Sequence, residues 1–378
     1  MKCKRVGVIG GGQLAWMMAE EAQGLGIELI VQTPNQEDPA VSRATEVILA
    51  PIDDAEATAK LATRCDVITF ENEFIDLEAL QVVARKGVSF CPSLNALSPL
   101  LDKYEQHSYL QLIGLPVPQF SAIALGENAT SPYGFPVVLK ARRHGYDGQG
   151  TFILKDHQAL AEICQRFPTS EMLIEEYIPF TKELAVMAAR NAAGEVVTYP
   201  VVETYQQDQV CRWVIAPGDV SEEVQQQVKA IATTLLTKLE VVGILGLELF
   251  LTADGKVLVN EVAPRTHNSG HYTLDACETS QFKMQLQAVT NLPLGSPRLK
   301  AAGAVMVNLL GYEHSENDDY LKITDQLAAI PSSYVHWYGK NQSRPGRKLG
   351  HVTVLLQQEK LSQAKQIAEK IESIWYQK

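Results

Sequence analysis

The stretch GVIGGGQLAWMMAE, residues 7–20, constrains the fold more than any other part of the chain. A short apolar run leads into Gly10, Gly11 and Gly12, and a helical pattern follows at once. A strand, a glycine turn and a helix in this order form the first half of a βαβ unit. Read as Gly10-x-Gly12-x-x-Ala15, the turn fits the dinucleotide-binding fingerprint, which accepts alanine at its third glycine. The turn therefore predicts a parallel sheet with an anion seat at the N-terminus of its first helix.

Strand and helix signals alternate through the first hundred residues. The segments RVGVIG, IELIVQT, CDVITF and GVSFCP read as strands, and amphipathic helices are predicted near 13–25, 54–64 and 76–86. Such alternation is typical of a parallel sheet with right-handed crossovers. The next segment, DKYEQHSYLQL, predicts a helix that ends before Gly114 and Pro116.

Strands dominate from about residue 134 onward. Turn signals at 191–194 and 254–255 predict two hairpins, with a long helix at about 221–239 between them. We therefore expect an α/β domain followed by an α+β region and a terminal helix. Three further strands are predicted near 303–309, 334–338 and 350–355.

The composition is that of a globular protein with room for two or three domains: 378 residues, 46% hydrophobic and 20% charged. A formal net charge of −11 disfavours nucleic-acid binding, which depends on basic surfaces. The six cysteines are scattered, which favours a reducing compartment over a disulfide framework or a zinc–cysteine site. No apolar run reaches the roughly 18 residues of a membrane span, and no signal peptide is recognisable. We therefore expect a cytoplasmic protein without a membrane partner.

A second glycine loop, KARRHGYDGQGT, occupies residues 140–151 between two predicted strands. The backbone at Gly145, Gly148 and Gly150 can approach a ligand closely, and its N–H groups can face phosphate oxygens. Lys140 adds a fixed positive charge, although the G-K-[ST] of a Walker motif is missing. The spacing alone leaves a phosphate-binding loop and a plain glycine hairpin turn equally open.

Two carboxylates occupy the two strands of the second predicted hairpin. Alternation places Glu248 on the opposite face from Leu247 and Leu249, and Glu261 faces it across the turn. Burying a carboxylate costs free energy unless the group is paired or bound to a metal. With the amide oxygen of Asn260, the pair suits Mg²⁺, which prefers oxygen ligands. For either glutamate alone, a solvent-facing position on an edge hairpin stays open.

Positive charge is concentrated in two segments that follow the acidic pair. Guanidinium groups suit phosphate or carboxylate partners, so an anionic substrate is expected near these segments. Each segment alone is also compatible with a solvated loop. The first segment contains Arg265, His267, Asn268 and His271, and the second contains Lys340, Arg344, Arg347, Lys348 and His351.

Five segments in order, GGGQL, RRHGYDGQGT, EEYI, NEVAPRTHNSGH and SRPGRKLGH, resemble 5-(carboxyamino)imidazole ribonucleotide synthase, an ATP-grasp family of purine biosynthesis. The resemblance spans nearly the whole chain. It implies a Rossmann-like domain at 1–100, an ATP-grasp domain at 101–295 with a flap at about 126–178, and a C-terminal substrate-binding domain at 296–378. It also implies Mg²⁺ as cofactor and a homodimer.

The resemblance implies a reaction as well. Bicarbonate attacks the γ-phosphate of ATP to give carboxyphosphate, and the carboxylate passes to the exocyclic amine of 5-aminoimidazole ribonucleotide. ADP and phosphate are released. Because phosphoryl transfer needs mainly positioning and charge neutralisation, metal, lysine and arginine suffice without a nucleophilic side chain.

Residue roles carry over at the matching positions. The lysines of the ATP set would hold phosphates, residues 145–151 would form the flap, residues 175–178 would line the adenine pocket, and Glu183 would contact the ribose. The ATP set is Lys103, Lys140, Gly145, Tyr146, Asp147, Gly148, Gln149, Gly150, Thr151, Glu175, Glu176, Tyr177, Ile178, Glu183, Gln206, Asn260 and Glu261.

The remaining roles concern the metal, bicarbonate and the ribonucleotide. Glu248 and Glu261 would hold Mg²⁺, and Arg265, His267 and Lys340 would be catalytic, with the first two positioning bicarbonate. The ribonucleotide set is Gln13, Leu14, Glu73, Tyr146, Asn268, Lys340, Arg347 and Lys348.

The chain departs from the family pattern at four places. Ala15-Trp16-Met17 stands where the family usually has Gly-Arg-Met. Lys103 replaces a usual arginine, His107 a usual lysine, and Gln206 a frequent histidine of the nucleotide pocket. The metal pair, the glycine flap and the PRTHNSGH segment are all retained.

Three alternatives remain to be weighed. A formate-dependent glycinamide ribonucleotide transformylase would share ATP and Mg²⁺ but use formyl phosphate. A dinucleotide oxidoreductase requires an acidic residue at the end of the second strand. That strand ends in Gln32 and Thr33, so the fingerprint is incomplete. A non-catalytic nucleotide sensor is disfavoured because both metal carboxylates and Arg265 are present.

Overall fold

The computed structural model describes residues 4–126, 129–143, 145, 150–167, 170–316, 320–340 and 342–377. Three sheets organise this part of the chain. The first is parallel, the second is antiparallel, and the third contains nine strands. None of the described helices has both the length and the apolar character needed to cross a membrane.

The first sheet has the strand order β3-β2-β1-β4. Helix α1 packs on one face, against Val6 and Val8, while α2 and α3 cover the other face beside Ile9. A parallel sheet covered on both faces explains why these strands read as continuous apolar runs. The elements are β1 (Lys4–Ile9), α1 (Gln13–Gly24), β2 (Ile27–Thr33), β3 (Glu46–Leu49), α2 (Ala55–Ala62), β4 (Val67–Phe70), α3 (Leu77–Ala84) and α4 (Leu94–Leu97).

The parallel sheet confirms the predicted βαβ pattern, with two differences in its strands. The fourth strand predicted in GVSFCP is reduced to a single bridge between Ile68 and Phe90. The short strand β3 forms instead next to β2, where the sequence analysis placed none. Its residues are mostly half-buried, so the apolar signal is weak. Gly10, with φ of +112°, makes the turn from β1 into α1, a backbone conformation that favours glycine.

The second sheet, called here the flap sheet, has the order β5-β8-β6-β7. Helix α5 precedes it and is capped by Asp102, whose carboxylate accepts the N–H of Tyr104 at 2.9 Å. Helix α6 packs on the sheet through Leu160 and Cys164. The elements are α5 (Lys103–Leu112), β5 (Phe120–Ala124), β6 (Val137–Ala141), β7 (Thr151–Leu154), α6 (His157–Arg166) and β8 (Glu171–Glu176).

The third sheet, called here the large sheet, has the order β14-β13-β9-β11-β12-β15-β17-β16, with β10 paired to β9. Both predicted hairpins are confirmed, as β9–β10 and β13–β14. The strands are β9 (Phe180–Arg190), β10 (Val196–Thr198), β11 (Val202–Gln207), β12 (Val210–Ala216), β13 (Gly243–Thr252), β14 (Val257–Ala263), β15 (Gly303–Leu310), β16 (Ser333–Trp337) and β17 (Lys348–Leu356). The helices are α7 (Glu222–Lys238), α8 (Thr273–Ala276), α9 (Gln281–Val289), α10 (Leu321–Ala328) and α11 (Ala364–Trp375).

The large sheet is held by helices whose apolar faces follow the helical period. Helix α7 buries Val224, Val228, Ile231 and Leu235, at spacings of three and four residues, in the same core as β9 and β13. Burial of each such side chain contributes roughly 1.5–3 kcal/mol. This packing fixes the hairpin β13–β14, which carries the predicted metal carboxylates, relative to the rest of the sheet.

Candidate active site

The hairpin β13–β14 carries two half-buried carboxylates in register. Glu248 pairs with Glu261, as the sequence predicts, and a bulge follows Glu248. Burial, together with repulsion from Glu261 and Glu183, raises the pKa of Glu248 to about 7. Burial also acts to raise the pKa of Glu261, but Lys103 outweighs it and the pKa falls below its usual value. The Glu248–Glu261 pair therefore attracts positive charge, and Lys103 neutralises it only in part.

Lys103, at the start of α5, supplies that charge through an ion pair with Glu261. The ammonium group is mostly buried, and the carboxylates of Glu261, Glu248 and Glu175 all act to raise its pKa. Burial alone would lower this pKa, so the acidic surroundings outweigh it. Lys103, which is predicted to hold the phosphates of ATP, thus reaches the metal pair itself, because α5 begins next to β14.

A second charged cluster links the flap sheet to the large sheet. Lys140 on β6 is buried, with Nζ 2.8 Å from Glu175 Oε2 and 2.8 Å from Asn260 Oδ1. His107 Nε2 lies 3.0 Å from Glu175 Oε1. Lys140 and Glu175 share a face of the flap sheet, because Lys140 pairs with Leu173, two residues before Glu175. This places a fixed ammonium beside the metal pair.

Glu175, predicted to line the adenine pocket, has its carboxylate in contact with Lys140 and His107. Burial acts to raise its pKa, but Lys140 and His107 outweigh it and lower the pKa to about 2. The carboxylate is 1% exposed, and both oxygens are committed to these neighbours. Glu175 is the counter-ion of Lys140 because a buried ammonium requires a compensating charge.

The residues after Glu175 form the crossing from the flap sheet to the large sheet. The Glu176 carboxylate accepts a hydrogen bond from the Gln119 backbone N–H at 2.8 Å. Tyr177 is partly exposed, whereas Ile178 is buried. The predicted place of Glu176, Tyr177 and Ile178 beside the adenine stays a prediction. The exposed side chain of Tyr177 and the backbone of this segment are accessible to a ligand.

Two further predicted nucleotide contacts lie on strands of the large sheet. Glu183 on β9 is opposite Phe250 on β13 and Thr204 on β11. Burial raises the pKa of Glu183 to about 7. Gln206 lies on β11 at the bulge opposite Cys211. The partly buried carboxyl of Glu183 is within electrostatic reach of Glu248, which places both on the same acidic surface.

The flap loop connects β6 and β7. Gly150 has φ of +82°, and a Cβ there would lie 2.8 Å from Ala141 Cβ, so the position favours glycine. Thr151 begins β7 directly opposite Lys140, and Gly145 is half-buried in the loop. The predicted flap residues Tyr146, Asp147, Gly148 and Gln149 lie outside the described residues.

His267 approaches the metal pair from the loop after β14. A Cβ on Gly246 would lie 2.5 Å from His267 Cβ, so glycine allows this loop to pack on β13. The ring Nε2 lies 3.6 Å from Glu248 Oε1, and Nδ1 lies 2.9 Å from Ser269 Oγ. Gln281 in α9 accepts the His267 N–H at 2.9 Å and donates to its carbonyl at 2.7 Å. The sequence analysis missed Gln281, because a glutamine on a helix carries no distinguishing pattern.

Arg265 and Asn268 make contacts that the sequence could not specify. Arg265 Nε lies 2.9 Å from Glu73 Oε1, which joins a predicted bicarbonate residue to a predicted ribonucleotide residue. Asn268 exchanges two amide hydrogen bonds with Asn308 on β15, at 2.8 and 2.7 Å. The amide of Asn268 is buried and committed to that pair, because buried amides must satisfy both donor and acceptor. Its predicted contact with the ribonucleotide stays a prediction.

The predicted ribonucleotide residues from the two ends of the chain meet in space. Lys340 Nζ donates to Gln13 Oε1 at 2.9 Å and to the Lys348 carbonyl at 2.8 Å. Arg347 Nη1 donates to the Gln342 carbonyl at 2.9 Å. Leu14 is buried in the core below α1. The cluster thus joins the start of α1 to the loop before β17.

The anion seat predicted at the first glycine turn is occupied by a side chain of the chain itself. Glu71 follows β4, and its carboxylate lies so close to the turn that a Cβ on Gly10 would be 2.6 Å from Oε2. Burial raises the pKa of Glu71 to about 7, and Arg265, the Leu14 backbone N–H and Lys340 act against that rise. The binding of a substrate phosphate at this turn stays a prediction, and Glu71 is the group such a phosphate would meet there. Glu71 directly follows the carboxyl end of the parallel strand β4. Ligands bind at that edge of such sheets, so this position is the sequence signal that could have identified Glu71.

Three family matches together cover most of the chain. Residues 3–99 match the ribonucleotide synthetase preATP-grasp domain, and residues 108–282 match the ATP-grasp domain. Residues 304–365 match the phosphoribosylaminoimidazole carboxylase C-terminal domain.

Similar proteins match over nearly their full length. N5-carboxyaminoimidazole ribonucleotide synthase of Synechococcus elongatus is 52% identical, covering 98% of this chain and 95% of that protein. The protein of the same name from Synechocystis sp. is 53% identical, covering 99% of both. The Aspergillus clavatus synthase, solved in complex with ADP and 5-aminoimidazole ribonucleotide, is 30% identical with a TM-score of 0.89, covering 100% of this chain and 99% of that one. An ADP complex of an N5-carboxyaminoimidazole ribonucleotide synthetase is 36% identical with a TM-score of 0.91, covering 99% and 97%.

Proposed function

The chain belongs to the N5-carboxyaminoimidazole ribonucleotide synthase family, and from this premise we propose how its residues divide the work of the family's reaction. It is an ATP-grasp ligase of purine biosynthesis that carboxylates 5-aminoimidazole ribonucleotide with ATP. The formate-dependent alternative is not favoured by these relatives. One observation carries the residue assignment: the in-register pair Glu248–Glu261 lies beside the buried Lys140 and within reach of His267.

Mg²⁺ is the proposed cofactor, held by Glu248 and Glu261. The donor set fits a hard divalent cation, because it offers two carboxylates in register, and burial together with repulsion from Glu261 and Glu183 raises the pKa of Glu248 to about 7. When bound, Mg²⁺ supplies charge neutralisation on the transferring phosphoryl group. Lys140, fixed by Glu175 and Asn260, is proposed to hold the phosphates of ATP, with Lys103 beside Glu261.

Bicarbonate is the proposed carboxyl donor. One of its oxygens attacks the γ-phosphorus, the bond to the β–γ bridging oxygen breaks, and ADP leaves with that electron pair. Arg265 and His267 are proposed to hold bicarbonate and then the carboxyphosphate, since His267 lies 3.6 Å from Glu248 and Arg265 precedes it by two residues, with its guanidinium on Glu73. The substrate amine then attacks the carboxyl carbon, phosphate leaves, and the amine loses a proton. Closure of the flap loop is proposed to exclude water from carboxyphosphate.

The ribonucleotide is proposed to bind on the cluster of Gln13, Lys340 and Lys348, with Arg347 at its edge. Lys340 is oriented by Gln13 and the Lys348 carbonyl, so its charge is positioned before a ligand arrives. Glu73 reaches the same region through its ion pair with Arg265. The predicted ribonucleotide contacts of Leu14, Asn268 and Tyr146 are kept as proposals.

Three broader assignments are also proposals. A homodimer follows from the family resemblance alone. A cytoplasmic location is supported by the five cysteines of the described residues, which are all free thiols. Domain limits of 1–100, 101–295 and 296–378 are proposed from the sequence, although the pairing of β12 with β15 continues the large sheet across the second limit.

A coupled assay of ADP release tests the function. We expect release to require Mg²⁺ and bicarbonate and to rise when 5-aminoimidazole ribonucleotide is added. Formate with glycinamide ribonucleotide serves as the comparison in the same assay. Turnover with that pair, and none with bicarbonate and 5-aminoimidazole ribonucleotide, would overturn the proposal.

A further inference from the structure

A cluster of imidazole and carboxylate groups lies on the large sheet, apart from the proposed Mg²⁺ site. His336 on β16 and His351 on β17 are direct cross-strand neighbours, with ring centroids 4.5 Å apart. Asp275 on α8 completes the cluster, with Oδ2 2.9 Å from His336 Nε2. One ligand atom from each residue lies within 4.8 Å of the other two. None of the three has a role in the proposed reaction.

His351 is the most informative member of this cluster. The ring is fully buried, and its Nδ1 lies 2.8 Å from the hydroxyl of Tyr338. Its Nε2 has no hydrogen-bond partner among the described residues. A buried polar atom without a partner costs about 1–3 kcal/mol, which a bound ligand would offset.

The contact with Tyr338 also orients the ring. Metal-binding histidines generally donate their second ring N–H to a neighbouring oxygen, which fixes the tautomer and leaves the other nitrogen free to bind. If His351 Nδ1–H donates to the Tyr338 oxygen, Nε2 carries the lone pair. The buried, unpartnered Nε2 is then the atom that can bind an ion.

We propose that Asp275, His336 and His351 form a binding site for a divalent transition-metal ion of the zinc class. Two imidazoles and one carboxylate suit Zn²⁺ and Co²⁺, whereas Mg²⁺ prefers an all-oxygen set. In a tetrahedral site with bonds near 2.0–2.1 Å, ligand atoms lie roughly 3.3 Å apart. The 2.9 Å between Asp275 Oδ2 and His336 Nε2 is close to that spacing, and the set lies within 4.8 Å, so an ion would draw the two nearly parallel rings together and tilt them toward it.

The site would act as a cross-link within the fold. Asp275 lies on α8, in the loop region after the hairpin β13–β14, whereas the two histidines lie on the last strands of the large sheet. Lys340 lies between these two strands and β17 begins at Lys348, so an ion here would tie α8 to the strands that border the proposed ribonucleotide cluster. His271, with its ring 5.1 Å from His351, closes the cluster on the side of the proposed bicarbonate residues.

Co²⁺ titration tests this site, because a cobalt ion bound by imidazole has a visible absorption spectrum. The full chain is stripped with a chelator, dialysed into excess Mg²⁺ to fill the carboxylate pair, and titrated with Co²⁺ alone. We expect one equivalent to bind with imidazole-type absorption. His336→Ala and Asp275→Asn should each weaken binding at least about tenfold, and the exposed His314→Ala should bind as the unmodified chain does.

Tyr338→Phe gives a second measurement that does not remove a ligand. Loss of the orienting hydroxyl should weaken Co²⁺ binding about 10- to 100-fold. His336 is chosen over His351 for truncation because it is partly exposed, and a circular-dichroism melt checks that each variant is folded. Absence of stoichiometric binding, or equal affinity in His336→Ala, would reduce the cluster to a His–Asp hydrogen bond and overturn the proposal.

Discussion

Two glutamates of the ATP-grasp region have pKa values that are shifted in opposite directions. Glu175 on the flap sheet is held at a pKa of about 2, because Lys140 and His107 outweigh its burial. Glu248 on the large sheet is raised to about 7 by burial and by the repulsion of Glu261 and Glu183. Glu175 is a satisfied structural counter-ion, whereas Glu248 belongs to a carboxylate pair that Lys103 neutralises only in part. The difference separates the residue that positions a lysine from the residue that is expected to bind a cation.

Substitution of Glu248 should give the largest effect on catalysis. Glu248→Gln keeps the shape but removes the charge, and we expect ADP release to fall by at least about 100-fold, since a bound metal contributes several kcal/mol to phosphoryl transfer. The unfolding free energy without metal should not decrease, because a repelling charge is lost. The exposed Glu171→Gln is the matched control. Turnover near that of the unmodified enzyme would contradict the metal assignment.

Substitution of Glu175 should act on stability first. Glu175→Gln leaves the buried ammonium of Lys140 without its carboxylate, and we expect the unfolding free energy to fall by about 3 kcal/mol. Chemical denaturation measures this loss. The adjacent Glu176→Gln, whose carboxylate contacts a backbone N–H, should lose less than about 1 kcal/mol. Equal losses of unfolding free energy in Glu175→Gln and Glu176→Gln would contradict the assignment of Glu175 as the counter-ion of Lys140.

The comparison also shows what the sequence could and could not predict. Alternation along two strands and a turn at 254–255 correctly placed Glu248 opposite Glu261, because both signals are local. The environment of Glu175 depends on the register between β6 and β8 and on His107 from α5, and no local pattern encodes those contacts.

The same limit applies to the ribonucleotide region. The glycine turn correctly predicted the strand, the turn and the helix, since backbone conformation there is a local property. Its occupant is Glu71, which arrives from β4 some sixty residues later. The amide pair of Asn268 and Asn308 likewise joins residues 40 positions apart. Contacts of this kind are set by packing of whole elements.

Lys340 lies outside both the Glu175 cluster and the Glu248–Glu261 pair. Its substitution tests the proposed ribonucleotide cluster. Lys340→Ala should raise the KM for 5-aminoimidazole ribonucleotide by about tenfold and leave the KM for ATP nearly unchanged, because a charge-assisted contact contributes about 1.5 kcal/mol. The exposed Lys322→Ala on α10 is the matched control. A larger change in the KM for ATP would move Lys340 to the nucleotide site.

The pH dependence of stability is expected to show the smallest effect, with opposite signs for Glu248 and Glu175. Glu248 has a folded pKa above its unfolded value, so its stabilising contribution is present at low pH and is lost as pH rises from about 4.5 to about 7. Relative to Glu248→Gln, the metal-free enzyme should lose about 1–2 kcal/mol across this window. Glu175 has the opposite sign, since its contribution is lost as pH falls from about 4.5 toward 2. Saturating Mg²⁺ with ADP should abolish the Glu248 dependence. A loss that persists with Mg²⁺ and ADP would contradict the assignment.

Both carboxylate clusters are proposed to serve one ATP-dependent carboxylation through carboxyphosphate. Bicarbonate labelled with ¹⁸O tests it most directly in a rapid-quench reaction with ATP, Mg²⁺ and 5-aminoimidazole ribonucleotide. Because a bicarbonate oxygen attacks the γ-phosphorus, we expect one labelled oxygen in each released phosphate and the remaining label in the carboxylated product. Unlabelled phosphate from a reaction that still carboxylates the ribonucleotide would contradict it.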